Sequence, residues 1–190
     1  MLKTTIQEMQ RLTGDEYRTA DKVPLTVVLD NVRSMHNVGA VFRTADAFRL
    51  EEVVLCGITA KPEQQHGDLR WADEVHKTAL GAEETVPWRY FADTMEAVRA
   101  LQHEGYTVYA VEQAHGSTPL EDVKLPHTGK YAVVLGHEVF GVQQQVVDAA
   151  DGCIEIPQFG TKHSLNVSVA AGIVLYRLSC MLRPVSLNIS

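Results

Sequence analysis

Three stretches of the chain combine side chains that bind or move charge with glycines that let a backbone come close. In the first, "DNVRSMHNVGAVFRTADAF", a polar loop follows Asp30 and helical spacing opens near Asn37 and Gly39. Free N–H groups at a helix start, beside a glycine, suit a phosphate. Arg43 lies six residues beyond Asn37, and its long side chain can reach back toward that loop. The alternative is that Arg33, Arg43 and Arg49 are solvated and Asn37 only caps the helix. In the second, "VVLGHEVFGV", Gly136 and Gly141 flank Glu138 at the end of an apolar run. Either the backbone passes close to something there, or this is an ordinary strand-turn-helix corner with a capping Glu. In the third, "IEIPQFGTKHSLNVSVAAGIVLY", Ser164 is placed to cap an apolar helix whose first turns hold Asn166 and Ser168. Buried polar groups need hydrogen-bond partners. These two either bond local backbone or face a site at the helix start, with Pro157 and Gly160 shaping the loop that leads in.

The elements that must position these loops follow from periodicity. Residues 25–30, 52–58, 106–112, 131–136 and 153–157 read as strands, and residues 37–48, 93–103, 141–150 and about 164–182 as helices. Residues 59 to about 73 read as a loop, followed by a short helix. Strands alternating with helices give an α/β domain: a mostly parallel sheet of about six strands, with helices on both faces. In such sheets ligands bind beyond the carboxyl ends of the strands, which is where all three stretches lie. Residues 1–23 read as a polar, partly helical extension, and residues 24–190 as one domain.

Composition narrows the classes. The 190 residues are 45% hydrophobic and 22% charged, as in ordinary globular chains. No window is apolar for long enough to span a membrane, and the first residues carry no apolar signal-peptide core. The three cysteines, Cys56, Cys153 and Cys180, have neither disulfide-framework nor zinc spacing; they read as buried small hydrophobes in a cytoplasmic protein. A net charge of −7 argues against a broad nucleic-acid-binding face, but leaves room for a local basic site. There is no GxGxxG after Asp30, no P-loop and no HExxH, so nicotinamide, nucleotide-triphosphate and zinc-protease chemistry are set aside and no metal is expected.

In this order, the three stretches resemble the signature motifs of the SPOUT superfamily of RNA methyltransferases, of the SpoU/TrmH type. Residues 37–45, "NVGAVFRTA", match the first motif; 135–141, "LGHEVFG", the second; and 156–170, "IPQFGTKHSLNVSVA", the third. The resemblance covers about residues 24–180. It implies a deep C-terminal trefoil knot, although knots are otherwise essentially absent from proteins. It also implies a homodimer, and S-adenosylmethionine as methyl donor, leaving S-adenosylhomocysteine. The acceptor it implies is a ribose 2′-hydroxyl of tRNA or rRNA.

Carried onto this sequence, the resemblance puts Leu135, Gly136, Ile156 and Leu165 in the cofactor cradle, with a further wall near residues 110–112. Arg43, Asn37, Glu138, Ser164 and Asn166 become the catalytic set. Arg43 is central, either as a base or, since guanidinium stays protonated, as a grip on phosphate and a stabiliser of the developing alkoxide. Arg33, Arg43 and Lys162 are the expected RNA contacts. About 24 residues precede the first strand signal, which tilts the expectation toward tRNA. The competing expectation is a catalytically silent knotted protein that binds RNA or cofactor as an assembly factor.

Overall fold

The β-branched run at the start of the domain becomes β1 (Val23–Asp30), buried on both faces as an interior strand of a parallel sheet must be. β2 (Leu50–Cys56) and β6 (Lys130–Leu135) flank it in parallel register, with Val28 opposite Val54 on one side and Val134 on the other. Beyond β2 lies β3 (Trp88–Phe91); beyond β6 lie β4 (Tyr106–Val111), β7 (Gly152–Glu155) and β5 (Thr118–Pro119). The order is β3-β2-β1-β6-β4-β7-β5, and every neighbouring pair is parallel. This computed structural model describes all residues except 1, 6, 7, 10, 63–69, 185, 186 and 188–190, and excludes the side chains of 70 and 71.

The sheet therefore has seven strands, not the six expected. Two of the seven, β3 and β5, fall outside the five runs read as strands; both are edge strands without a continuous apolar run. β3 is half-exposed and carries Arg89, and β5 is two residues long and includes Pro119, whose missing N–H is tolerated at an edge.

Helices cover both faces, as anticipated. Leu25, Val27 and Leu29 of β1 point into a core closed by α2 (Met35–Phe48), α3 (Arg70–Ala79), α4 (Ala82–Thr85) and α7 (Val167–Leu182). Val28 points to the opposite core, under α5 (Thr94–His103) and α6 (Gln144–Ala149). In the first residues, α1 (Gly14–Thr19) is held by a capping box between Thr13 and Glu16. Of the polar stretch expected as a loop, residues 63–69 lie outside the described residues, and residues 70–73 already belong to α3.

Two local features correct the reading of the sequence. Gly39 does not serve a ligand. It is buried, and a Cβ there would lie 2.2 Å from the Val75 carbonyl oxygen and 2.2 Å from Thr78 Oγ1. Its role is the close crossing of α2 over α3. Gly39→Ala is expected to lower stability by about 1–3 kcal/mol, the usual cost of overpacking, measured as a fall in the urea midpoint. Cys180 is exposed, unlike Cys56, whose thiol is pushed up to about 12 first of all by burial.

Asp30, at the end of β1, is fully buried. Its Oδ1 accepts from Asn31 Nδ2 (2.8 Å), Thr94 Oγ1 (2.6 Å) and Gln143 Nε2 (2.8 Å), and its Oδ2 from the Gln143 N–H (3.0 Å). One carboxylate thus ties β1 to the starts of α5 and α6, its desolvation offset by four hydrogen bonds.

Candidate active site

All strands run the same way, so the loops leaving β1, β6 and β7 emerge at one edge of the sheet, and these are the three motif loops. α2 begins at Met35 with Ser34 as its N-cap, the Ser34 hydroxyl accepting the Asn37 N–H at 3.3 Å. Asn37 is therefore not the cap, and its amide is free for another use. α7 begins at Val167 with Asn166 as its N-cap, accepting from the Ser168 N–H at 2.8 Å and the Ser168 hydroxyl at 2.6 Å. The cap expected at Ser164 falls at Asn166, which is exposed rather than buried.

A chain of hydrogen bonds joins the three motifs. Glu138 accepts the N–H groups of Arg33 (3.1 Å) and Ser34 (2.9 Å) and the Asn37 amide Nδ2 (3.0 Å). Asn37 Oδ1 accepts from Asn166 Nδ2 at 3.2 Å. Chemistry fixes the orientations. A carboxylate only accepts, so Asn37 must offer its NH2 to Glu138, its carbonyl then faces Asn166, and Asn166 must offer its NH2 in turn. An aspartate at position 37 would set two carboxylates against each other. Desolvation pushes the Glu138 carboxyl up, but the N–H groups of Ser34, Glu138 itself and Arg33, with the Asn37 amide, outweigh it, leaving the pKa below the ordinary glutamate value.

Beside this relay lies a cleft of about 970 Å³, large enough for a cofactor-sized ligand. Leu135, Gly136, Ile156 and Leu165 all line it, as do Glu138 and Ser164. The close approach expected at the two glycines is real, but the neighbour is the protein itself. A Cβ on Gly136 would lie 2.0 Å from the Gly141 carbonyl carbon, and Gly141 takes φ +68°. His137 and Gly141 exchange backbone hydrogen bonds at 3.0 and 2.9 Å, closing the turn that presents Glu138. The charged side chains on the described lining are the carboxylates of Glu112, Glu138, Asp148 and Glu155, with no lysine or arginine among them.

Arg33, Arg43 and Lys162 are exposed, and their side chains make no hydrogen bond or ion pair among the described residues. Arg43 stands apart from the relay within one chain. Six residues along α2 separate it from Asn37, which is about 9 Å of rise and about 120° around the helix axis. Val111 and Glu112 line the cleft where the resemblance implied a further wall near residues 110–112, and Gln113, which sequence reasoning missed, extends that wall. A second feature that such reasoning passed over is remote from the cleft: His76, Glu83 and Glu84, on α3 and α4, bring ligand-type atoms within 4.8 Å of one another.

The sequence profile of the SpoU rRNA Methylase family matches residues 24–176. The chain belongs to that family. Within the SpoU family it is 33% identical over 169 residues to the tRNA (guanosine(18)-2′-O)-methyltransferase of Thermus thermophilus, covering 89% of this chain and 81% of that one. It is 32% identical over 161 residues to the 23S rRNA (guanosine-2′-O-)-methyltransferase RlmB of Neisseria meningitidis, covering 85% of this chain and 60% of that one. The fold agrees: it superposes on the TrmH/SpoU tRNA modifying enzyme of A. aeolicus with a TM-score of 0.72 at 26% identity, over 88% of this chain and 79% of that one. Against the AdoMet-bound rRNA methyltransferase of Sinorhizobium meliloti the TM-score is 0.74 at 26% identity, over 92% and 63% of the two chains. The SpoU assignment therefore rests on sequence and fold together.

Proposed function

We propose that this SpoU-family protein transfers a methyl group from S-adenosylmethionine to a ribose 2′-hydroxyl of RNA. The single observation that carries the reading is the Glu138–Asn37–Asn166 relay beside the cleft, three motif loops joined at one sheet edge. The cleft fits the cofactor. It has the volume, it offers loop backbone at Leu135, Gly136, Ile156 and Leu165, and its described lining holds carboxylates without a competing lysine or arginine, which suits a cationic sulfonium. When bound, the cofactor supplies an electrophilic methyl group.

The chain's own residues position and activate the acceptor. Glu138 fixes the loop before α2 and orients Asn37, and Asn37 fixes Asn166 beside Ser164. Arg43 grips the phosphate next to the target ribose and stabilises the alkoxide that develops as the 2′-hydroxyl proton passes to water. Arg33 and Lys162 hold RNA backbone, so RNA binding weakens with salt.

The same reading extends to the larger architecture. Residues 24–190 form the methyltransferase domain and residues 1–23 an extension. The segment after β7 threads a trefoil knot, supported by the way β7 lies outside β4 while α7 returns to pack on α2 and β1. The active form is a homodimer. Val169, Ile173 and Tyr176 form an exposed apolar stripe on α7, and Phe140 and Phe159 are 83% and 96% exposed in the motif loops beside the cleft, apolar surface of the kind that marks interfaces. Among the described residues no helix is long and apolar enough to cross a membrane. The site of action in this reading is the cytoplasm, where RNA substrates are found. The favoured substrate is tRNA, supported by the larger share of the tRNA-modifying relative that the chain matches.

The test is transfer of labelled methyl from S-adenosylmethionine to unmodified tRNA and, separately, rRNA, with Arg43→Ala alongside. Label in one RNA pool that disappears with the variant is the expected result. Cofactor binding without label in either pool would point instead to a silent binding protein.

A further inference from the structure

The two loops that wall the cleft leave β6 and β7, and β4 stands between those strands in the sheet. The two residues that follow β4, Glu112 and Gln113, each reach one of these loops. Glu112 Oε2 accepts the Val142 N–H at 3.0 Å, in the loop after β6, and Gln113 Nε2 donates to the His163 carbonyl at 2.8 Å, in the loop after β7. Glu112 Oε1 also accepts the Gln113 N–H at 2.8 Å, so one carboxylate fixes its own loop and the start of its neighbour's brace. The backbone beneath is anchored on β7, the Glu112 N–H donating to the Ile154 carbonyl at 3.0 Å.

Position 141 shows how tightly this brace is built. A Cβ on Gly141 would lie 2.1 Å from Glu112 Oε2, and a Cβ on Gly136 would strike Gly141 from the other side. Strand end, turn and carboxylate are thus stacked in contact. A carboxylate accepting two N–H groups cannot be replaced by an amide without turning an NH2 toward one of them. The backbone groups of a ligand cradle are useful only while their spacing is held.

We propose that Glu112 and Gln113 are positioning residues for the methyl donor, setting the separation of the two loops that hold it and acting through those loops. This rests on the reading of the cleft as an S-adenosylmethionine site. Loss of either brace relaxes one wall and weakens cofactor binding, while the Glu138–Asn37–Asn166 relay keeps its own bonds to the Arg33 and Ser34 N–H groups.

The experiment is calorimetric binding of S-adenosylmethionine, with steady-state methyl transfer, for the wild type, Glu112→Gln and Gln113→Leu. The expected result is cofactor affinity lower by about tenfold or more, as for other residues that orient a binding shell. KM for RNA and kcat at saturating cofactor should stay within about twofold, a split that partial unfolding would not give, since it lowers kcat through the active fraction. A second pair guards against a folding defect. Gly141→Ala should weaken cofactor binding, and the same change in a Glu112→Ala background should add less than it does alone, because the side chain it strikes has gone. Wild-type affinity in both Glu112→Gln and Gln113→Leu would overturn the proposal alone. A wild-type protein that does not bind S-adenosylmethionine would overturn the reading of the cleft and this proposal with it.

Discussion

Arg43→Lys is expected to keep the wild-type thermal midpoint and cofactor affinity while losing about 10²–10³-fold in turnover, the scale seen when one preorganised charge-stabilising donor is removed. Stability is spared because the guanidinium is exposed and makes no bond among the described residues. Cofactor affinity is spared because Arg43 does not line the cleft. Turnover falls because lysine keeps the charge but loses the planar fork that grips a phosphate and an alkoxide together. The checks are a thermal melt, a binding isotherm and single-turnover methyl transfer on one preparation. Turnover near the wild-type value would remove Arg43 from the chemistry, whether as base or as stabiliser.

Replacing Glu138 should damage fold and activity together. Its carboxylate accepts three N–H groups from the loop before α2 and the first turn of that helix, and Glu138→Ala leaves them to water or to nothing. Hydrogen bonds to charged groups are worth about 1.5–3 kcal/mol each when well shielded; at this half-exposed turn we expect a total loss of about 1–2 kcal/mol, read from denaturant unfolding. Activity should fall by about 10²-fold, since Asn37 and Asn166 lose the anchor that orders them. The pH dependence has a definite sign. The folded-state pKa lies below the ordinary value of 4.5, so the stabilisation is fully present above that value and is lost as pH falls through the lower folded one. Glu138→Gln should therefore show a shallower decline of stability on acidification than the wild type. Equal acid limbs for the two proteins would contradict the assignment.

The parallel core was legible because its strands are buried on both faces and so appear as continuous β-branched runs. Residues 25–30 and 131–136 are of this kind, and both became central strands. β3 was not, because an edge strand mixing Trp88, Arg89 and Tyr90 has no apolar period, and β5 is too short to have one. Strand order left no local trace, since parallel partners are distant in sequence. At the site, residue types pointed to the right loops while geometry did not follow from them. Ser164 and Asn166 are both good caps, and the choice between them depends on the bond from Asn166 to Asn37, which arrives from 129 residues away. Glu112 was read as the last residue of a strand, and Asp30 as the residue where one ends. Their partners, Val142 and Gln143, come from loops whose approach the sequence does not record.

The central position of β6 has a consequence during synthesis. β1 pairs with β2 soon after both are made, but its other edge waits for a strand encoded about 100 residues later, roughly 5–20 s at ordinary elongation rates. Through that interval a row of backbone N–H and C=O groups along β1 has no native partner, and unpaired edges of this kind recruit other chains. Everything encoded between β2 and β6 must therefore be translated before the middle strand can cover that edge.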